Sequence, residues 1–123
     1  MNQKTQILLV EDEALIAMCL ERLLNLSGFH VCSKVATGEL AVEKAKECHP
    51  DVILMDIHLL GKMDGIEAAH QIRAKCDTPI IFMTGYAQDA VSERIKSLGI
   101  SSFLSKPVGM DSLHPAIEAA LLS

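Results

Sequence analysis

Asp56 closes the stretch Asp51-Val52-Ile53-Leu54-Met55-Asp56, in which four apolar residues separate two acids. A carboxylate at the rim of an apolar run rarely lacks a partner or a task. Glu11 and Asp12 follow the run Ile7-Leu8-Leu9-Val10 in the same way, with Glu13 behind them. Thr84 closes Ile80-Ile81-Phe82-Met83, and Lys106 comes directly after Phe103-Leu104-Ser105. If the fold gathers these residues, their chemistry is specific. Clustered carboxylates repel one another and call for a cation. Mg2+ suits them, because it is held by one or two carboxylates together with waters and phosphate oxygens. A carboxylate is also a nucleophile able to form an aspartyl phosphate. A metal ion and a lysine would neutralise charge on a transferring phosphoryl group, with the Thr84 hydroxyl and a backbone N–H holding its remaining oxygens.

The elements that must position these groups alternate strand and helix. Gln6 to Val10 and the Asp56 stretch are apolar enough to be strands buried on both faces. A helix through about Ser27 carries Ile16, Leu20, Leu23 and Leu24, with Gly28 placed to end it. His30 to Val35 is shorter and more polar, as an edge strand would be. Thr37 is expected to cap a helix burying Ala41, Ala45 and Cys48 and stopping at Pro50. After a loop through Gly61, Asp64 opens a helix running to about Lys75. Pro79 to Thr84 is the next strand, followed by a helix with Val91, Ile95 and Leu98 on one face. Ser101 to Ser105 is the last strand. The final helix uses Leu113, Ile117 and Leu121, with Pro115 near its first turns. Such βα units with short connections imply an α/β fold, a parallel sheet covered on both faces. All strand ends then share one edge, which collects Glu11, Asp12, Asp56, Thr84 and Lys106 near a topological switch point.

Composition narrows the function. The 123 residues suit one domain, half of them hydrophobic and 22% charged. A net charge of -5 argues against direct nucleic-acid binding, since no basic face offsets phosphates. No apolar run reaches membrane-spanning length and no signal peptide precedes the first strand, so a cytoplasmic location is expected. Cys19, Cys32, Cys48 and Cys76 show no CxxC spacing and are expected to be small buried hydrophobes without a metal or redox role. The methionines are scattered gap-fillers, and His30, His49, His70 and His114 show no ligand spacing.

Together, Val10-Glu11-Asp12-Glu13, Leu54-Met55-Asp56, Met63-Asp64-Gly65, Met83-Thr84-Gly85 and Leu104-Ser105-Lys106-Pro107 resemble a response-regulator receiver domain over the whole chain. The resemblance implies a flavodoxin-like (βα)5 three-layer sandwich with strand order 2-1-3-4-5, either standing alone or excised from a longer regulator. It also implies a two-component role. Asp56 would accept a phosphoryl group from a histidine kinase or phosphotransfer protein. Asp12 would bind Mg2+ directly and Glu11 through water, with the His58 backbone carbonyl completing the protein ligands. Lys106, Thr84 and Gly85 would border the phosphoryl group, and Thr84 and Phe103 would form the switch. Phosphorylation would alter the surface of the fourth helix, fifth strand and fifth helix, read by an effector, an output domain or a second copy. No catalysis beyond the domain's own phosphorylation and dephosphorylation is implied.

Departures from the family pattern cluster around the site. A Met-Pro pair is usual soon after the acceptor; here Leu59-Leu60-Gly61-Lys62 makes a longer loop, in which Gly61 is expected to supply a turn. Gly85 should leave phosphate access open, and Phe103, lacking a hydroxyl, can be buried without a hydrogen-bond partner. The resemblance implies that His58 and Tyr86 border the approach of water. The Tyr86 ring is expected to slow self-dephosphorylation, the competing reading being that neutral His58 acts as a base and speeds it. Other classes fit less well. A flavodoxin-type FMN binder wants a phosphate cradle where Glu11-Asp12-Glu13 stands, and a haloacid-dehalogenase phosphatase wants an acid where His58 stands. A degenerate receiver acting as a metal-independent interaction module would have lost an acid, the threonine or the lysine, and none is lost. The runner-up is a receiver used mainly as a docking module, which phosphate uptake with Mg2+ would discriminate.

Overall fold

The computed structural model describes residues 4–85 and 102–122. Its strands are β1 (Gln6–Val10), β2 (His30–Val35), β3 (Val52–Asp56), β4 (Ile80–Thr84) and β5 (Ser102–Ser105). They form one sheet in the order β2-β1-β3-β4-β5, every neighbouring pair parallel. The described helices are α1 (Ala14–Leu26), α2 (Gly38–Cys48), α3 (Gly65–Arg73) and a last helix, Met110–Leu121. The helix expected around Val91, Ile95 and Leu98 lies outside the described residues.

Strand periodicity divides the core in two. Leu8, Val10, Ile53, Met55 and Phe82 face Ala41 and Ala45 of α2 and Ile66, Ala69 and Ile72 of α3. Their neighbours Ile7, Leu9, Val52, Leu54, Ile81 and Met83 face Ala17, Leu20 and Leu24 of α1 and Leu113 and Ile117 of the last helix. Each fully buried Leu or Ile contributes about 1.5–3 kcal/mol, so this double core can offset the burial of a few charged groups at its rim.

Local signals place the elements. The Thr37 side chain accepts a hydrogen bond from Leu40 N at 3.2 Å and opens α2; Asp64 accepts one from Glu67 N at 2.9 Å and opens α3. Gly28 and Gly61 adopt the left-handed conformation, with φ of 93° and 99°, so Gly61 does turn the longer loop. Four expectations need correction. Pro115 lies past the first turn of its helix, where its missing N–H forfeits a helical bond. Leu121 is 42% exposed and stands outside the core. Phe103 is 40% exposed, because β5 is an edge strand and turns this side chain outward. Cys19 is exposed and Cys32, Cys48 and Cys76 are half-buried, so none is a sealed core residue.

Candidate active site at the carboxyl edge of the sheet

Sheet register fixes the site. Val10 pairs with Met55, Asp56 with Met83 and Thr84 with Ser105, so the residues after each strand emerge side by side. The Lys106 amide donates to Thr84 O at 2.8 Å and extends the β4–β5 ladder, which carries the lysine to the same edge. Beneath it, Gly65 lies against the backbone of Asp56. A Cβ built there would fall on the Asp56 carbonyl oxygen and within 3.0 Å of Ile57 Cα. The Gly65 amide also donates to Ile57 O at 2.9 Å. Sequence reasoning assigned Gly65 no task, because a close approach between backbones leaves no periodic signal.

Glu11, Asp56 and Thr84 are 2%, 2% and 4% exposed, an unusual burial for two acids. The Lys106 ammonium stands 2.9 Å from Glu11 Oε1 and 3.0 Å from Asp56 Oδ2. It is hydrogen-bonded to Asp56, whereas at Glu11 Oε1 the distance is short but the alignment is not that of a hydrogen bond. That buried oxygen thus has a charge beside it and no donor aimed at it. Glu11 Oε2 accepts from Glu13 N at 3.1 Å, and Asp56 Oδ1 accepts from His58 N at 3.2 Å. Carboxylate oxygens of Glu11, Asp12 and Asp56 lie within 4.8 Å of one another.

These neighbours push the two buried acids apart in acidity. Burial, with the Glu11 charge adding to it, raises the Asp56 pKa to about 7 against the opposing pull of Lys106. Burial would raise Glu11 too, but Lys106, the Glu13 amide and Asp56 together hold it below its ordinary value. Lys106 loses charge preference through burial and regains more from Glu11 and Asp56, so its pKa is raised. Burial and Glu11 thus favour the protonated form of Asp56, beside a lysine whose acid neighbours favour its charged form.

A cleft lined by Asp12, Glu13, Asp56, His58, Gly85 and Lys106 opens above Asp56. Asp12 is half-buried at its rim, and the His58 side chain is exposed. A Cβ built at Gly85 meets no described atom within 4 Å. The Phe103 ring centroid lies 6.5 Å from that of Phe82. Tyr86 lies outside the described residues. The structure adds Glu13 to the site: its amide supports Glu11, and its residue lines the mouth.

The family model for the response regulator receiver domain matches residues 7–118. The chain belongs to that family. Over 116 residues it is 37% identical to the transcriptional regulatory protein PdtaR of Mycobacterium tuberculosis, covering 94% of this chain and 56% of that protein. The regulatory protein AtoC of Escherichia coli is 33% identical over 123 residues, which is 98% of this chain and 26% of AtoC. Among solved structures, the signal receiver domain of a modulated diguanylate cyclase from Desulfovibrio desulfuricans superposes with a TM-score of 0.90 at 38% identity, covering 98% and 95% of the two chains. The response regulator domain of Thermotoga maritima CheB does so with a TM-score of 0.88 at 28% identity, covering 98% of both. The chain thus spans about half of PdtaR and a quarter of AtoC. The domain is a receiver of two-component signal transduction with the flavodoxin-like fold. No helix among its described residues is long and apolar enough to cross a membrane.

Proposed function

We propose that Asp56 is the phosphoacceptor of this receiver, taking a phosphoryl group from the phosphohistidine of a kinase or phosphotransfer protein. One observation carries the assignment: Asp56 is the acid to which a half-buried lysine, a second buried acid and a backbone amide all converge at a cleft. Its raised pKa is what a carboxylate held for chemistry would show.

The oxygen cluster of Glu11, Asp12 and Asp56 fits a hard divalent cation, and the buried Glu11 Oε1 without an aligned donor fits it further. Asp12 and Asp56 would hold Mg2+ directly, with Glu11 through water and the His58 carbonyl as a further ligand. When bound, Mg2+ would supply positive charge to the phosphoryl oxygens. The chain's own residues do the remaining work. The Asp56 carboxylate attacks phosphorus in line with the leaving imidazole, and Lys106 follows the phosphoryl charge as it forms. Thr84, at the end of the neighbouring strand, supplies a hydroxyl, while Gly85 leaves the approach clear. Lys106 is continuous with β5, so its movement would reach Phe103, three residues before it.

This reading implies a histidine kinase as donor, an effector or output domain as receiver of the signal, and a cytoplasmic setting where the two meet. It implies no catalysis beyond the domain's own phosphorylation and dephosphorylation. The test is acyl-phosphate formation with a small phosphodonor such as acetyl phosphate, followed by mass analysis. Label should appear on Asp56 only, should require Mg2+ and should vanish in Asp56→Asn. Stoichiometric acyl phosphate elsewhere in that variant would refute the assignment. Mg2+ should also raise the melting temperature of the unmodified chain by relieving repulsion within the acid cluster.

A further inference from the structure

The half-buried thiols on the opposite side of the sheet from α1 carry an inference unrelated to phosphoryl transfer. Cys48 closes the inward stripe of α2 that begins with Ala41 and Ala45, both buried against the sheet. Cys32 lies in β2 and packs against that same half of the core. Both lie towards the end of the sheet at which β1 begins, Cys32 in the first half of β2 and Cys48 as the last residue of α2. His30 pairs with Gln6 in the sheet, and Asp51, three residues beyond Cys48, donates its amide to Gln6 O at 2.8 Å.

A local irregularity places Cys32. Ile7 pairs with Val31 but Leu8 pairs with Ser33, so Cys32 is the extra residue of a β-bulge. The bulge turns Cys32 to the same side as Val35, although the two stand an odd number of residues apart. An unpaired residue on an edge strand also has more freedom to shift than one locked in a ladder. The other two cysteines are placed differently. Cys76 donates to Ile72 O at 3.3 Å and accepts from Thr78 Oγ1 at 3.7 Å, and Cys19 is exposed on α1 across the sheet.

We propose that Cys32 and Cys48 are a reversible dithiol–disulfide couple that ties the edge strand β2 to the end of α2, with a low-molecular-weight disulfide as its oxidant. The exchange balances in two steps. One protein thiolate attacks the oxidant, forming a mixed disulfide and releasing one small thiolate. The second protein thiol then attacks the protein sulfur of that mixed disulfide, forming the Cys32–Cys48 bond and releasing the other small thiolate. The two protons of the protein thiols leave with the two small thiols. Cys32 is the poorer attacker on the small disulfide, because burial, reinforced by the Cys48 thiol beside it, pushes its pKa up to about 11 and keeps its thiolate scarce. Cys48 therefore opens the exchange and Cys32 closes it through proximity. The link would not touch Asp56 and does not depend on the phosphoacceptor assignment.

The experiment equilibrates the folded protein in buffers of stepped reduced-to-oxidised glutathione ratio, quenches with acid, alkylates free thiols and maps the peptides. It uses the parent chain and a Cys19→Ser/Cys76→Ser background. The expected product in both is one intramolecular cross-link between the Cys32 and Cys48 peptides, with loss of two hydrogens, reversed by dithiothreitol. Its melting temperature should exceed that of the reduced chain, and the gain should be absent in Cys32→Ser. Complete alkylation of both thiols after equilibration in oxidised glutathione would overturn the proposal. So would glutathione adducts without a cross-link, or a cross-link that forms only above the melting transition. The parent map decides the matter even if a serine variant fails to fold.

Discussion

The same strand carries an aspartate at each end, and the two are held in opposite ways. Asp51, before β3, is exposed; its Oδ2 accepts from Gln6 N at 2.7 Å, while its own amide donates to Gln6 O at 2.8 Å. Backbone groups satisfy it, and water reaches the rest. Asp56, closing β3, is 2% exposed and answers to a lysine, a second acid and one amide. One acid fastens a strand entry to its neighbour. The other sits where its charge is opposed by burial, the condition that marks reactive carboxylates. Opposed charge therefore gathers at one edge of this sheet and stitching at the other.

Removing the cation at the reactive edge should produce the largest effect. Lys106→Ala leaves Glu11 and Asp56 facing each other without a counter-charge. Breaking a fully buried pair costs about 3–5 kcal/mol; here about 2–3 kcal/mol is expected, since Asp56 can hold a proton. Urea unfolding with chelator present measures it. In the same variant, chemical shifts around Phe103 should move far less on adding Mg2+ and beryllofluoride than they do in the parent. A variant as stable as the parent would mean that the lysine does not hold the acids together.

Next in size comes the backbone beneath Asp56. In Gly65→Ala the new methyl group meets the Asp56 carbonyl and Ile57 Cα, main-chain atoms with little freedom to retreat. A loss of about 1–3 kcal/mol is expected, as for overpacking elsewhere, together with slower labelling from acetyl phosphate. Gly109→Ala, where a Cβ meets nothing within 4 Å, is the control and should change stability by less than about 0.5 kcal/mol. Equal effects at the two glycines would show that the Asp56 end of β3 tolerates displacement.

Much of this was legible before any coordinates. Apolar runs ending in Asp56, Val10 and Thr84 gave the strand ends, and parallel βα connectivity then brought the acids and Lys106 to one edge. Thr37, Asp64 and Gly61 announced two helix starts and a turn through local hydrogen bonding and backbone freedom alone. What escaped was long-range and non-periodic. The Gly65 contact depends on how α3 seats against β3, and the exposure of Phe103 depends on β5 being an edge. The approach of Cys48 to Cys32 depends on a bulge that no composition rule signals. Leu121 misled because helical spacing continued past the end of the sheet that its face would cover.

The two aspartates should answer the same substitution with opposite signs. Without metal and at about pH 8, where Asp56 is ionised, Asp56→Asn removes a charge opposed by burial and by Glu11, and stability should rise by about 1–2 kcal/mol. Asp51→Asn weakens a charge-assisted bond to the Gln6 amide, and stability should fall by about 0.5–1 kcal/mol. Thermal scans of both variants in chelator compare them directly. A fall in both would mean that Asp56 is held by its neighbours as comfortably as Asp51 is.

The gentlest prediction concerns pH, and it isolates Asp56. In the folded chain this carboxyl keeps its proton up to about 7, against an ordinary value of 3.8. Between those values the folded state binds more protons than the unfolded state, so stability falls as pH rises. Glu11 acts in the opposite sense: its lowered pKa adds stability above its ordinary 4.5, lost only as pH falls through the folded value. The Asp56 slope is therefore cleanest from about pH 5 to about pH 8, where Glu11 is already ionised in both states. A full proton would give about 1.4 kcal/mol per pH unit; sharing with Glu11 and Lys106 should reduce this to about half. Urea midpoints in chelator across that range should decline in the parent and in Asp51→Asn, and the decline attributable to the site should be absent in Asp56→Asn. If the parent and Asp56→Asn show the same slope, the proton is not on Asp56, and the contrast between the two ends of β3 rests on burial alone.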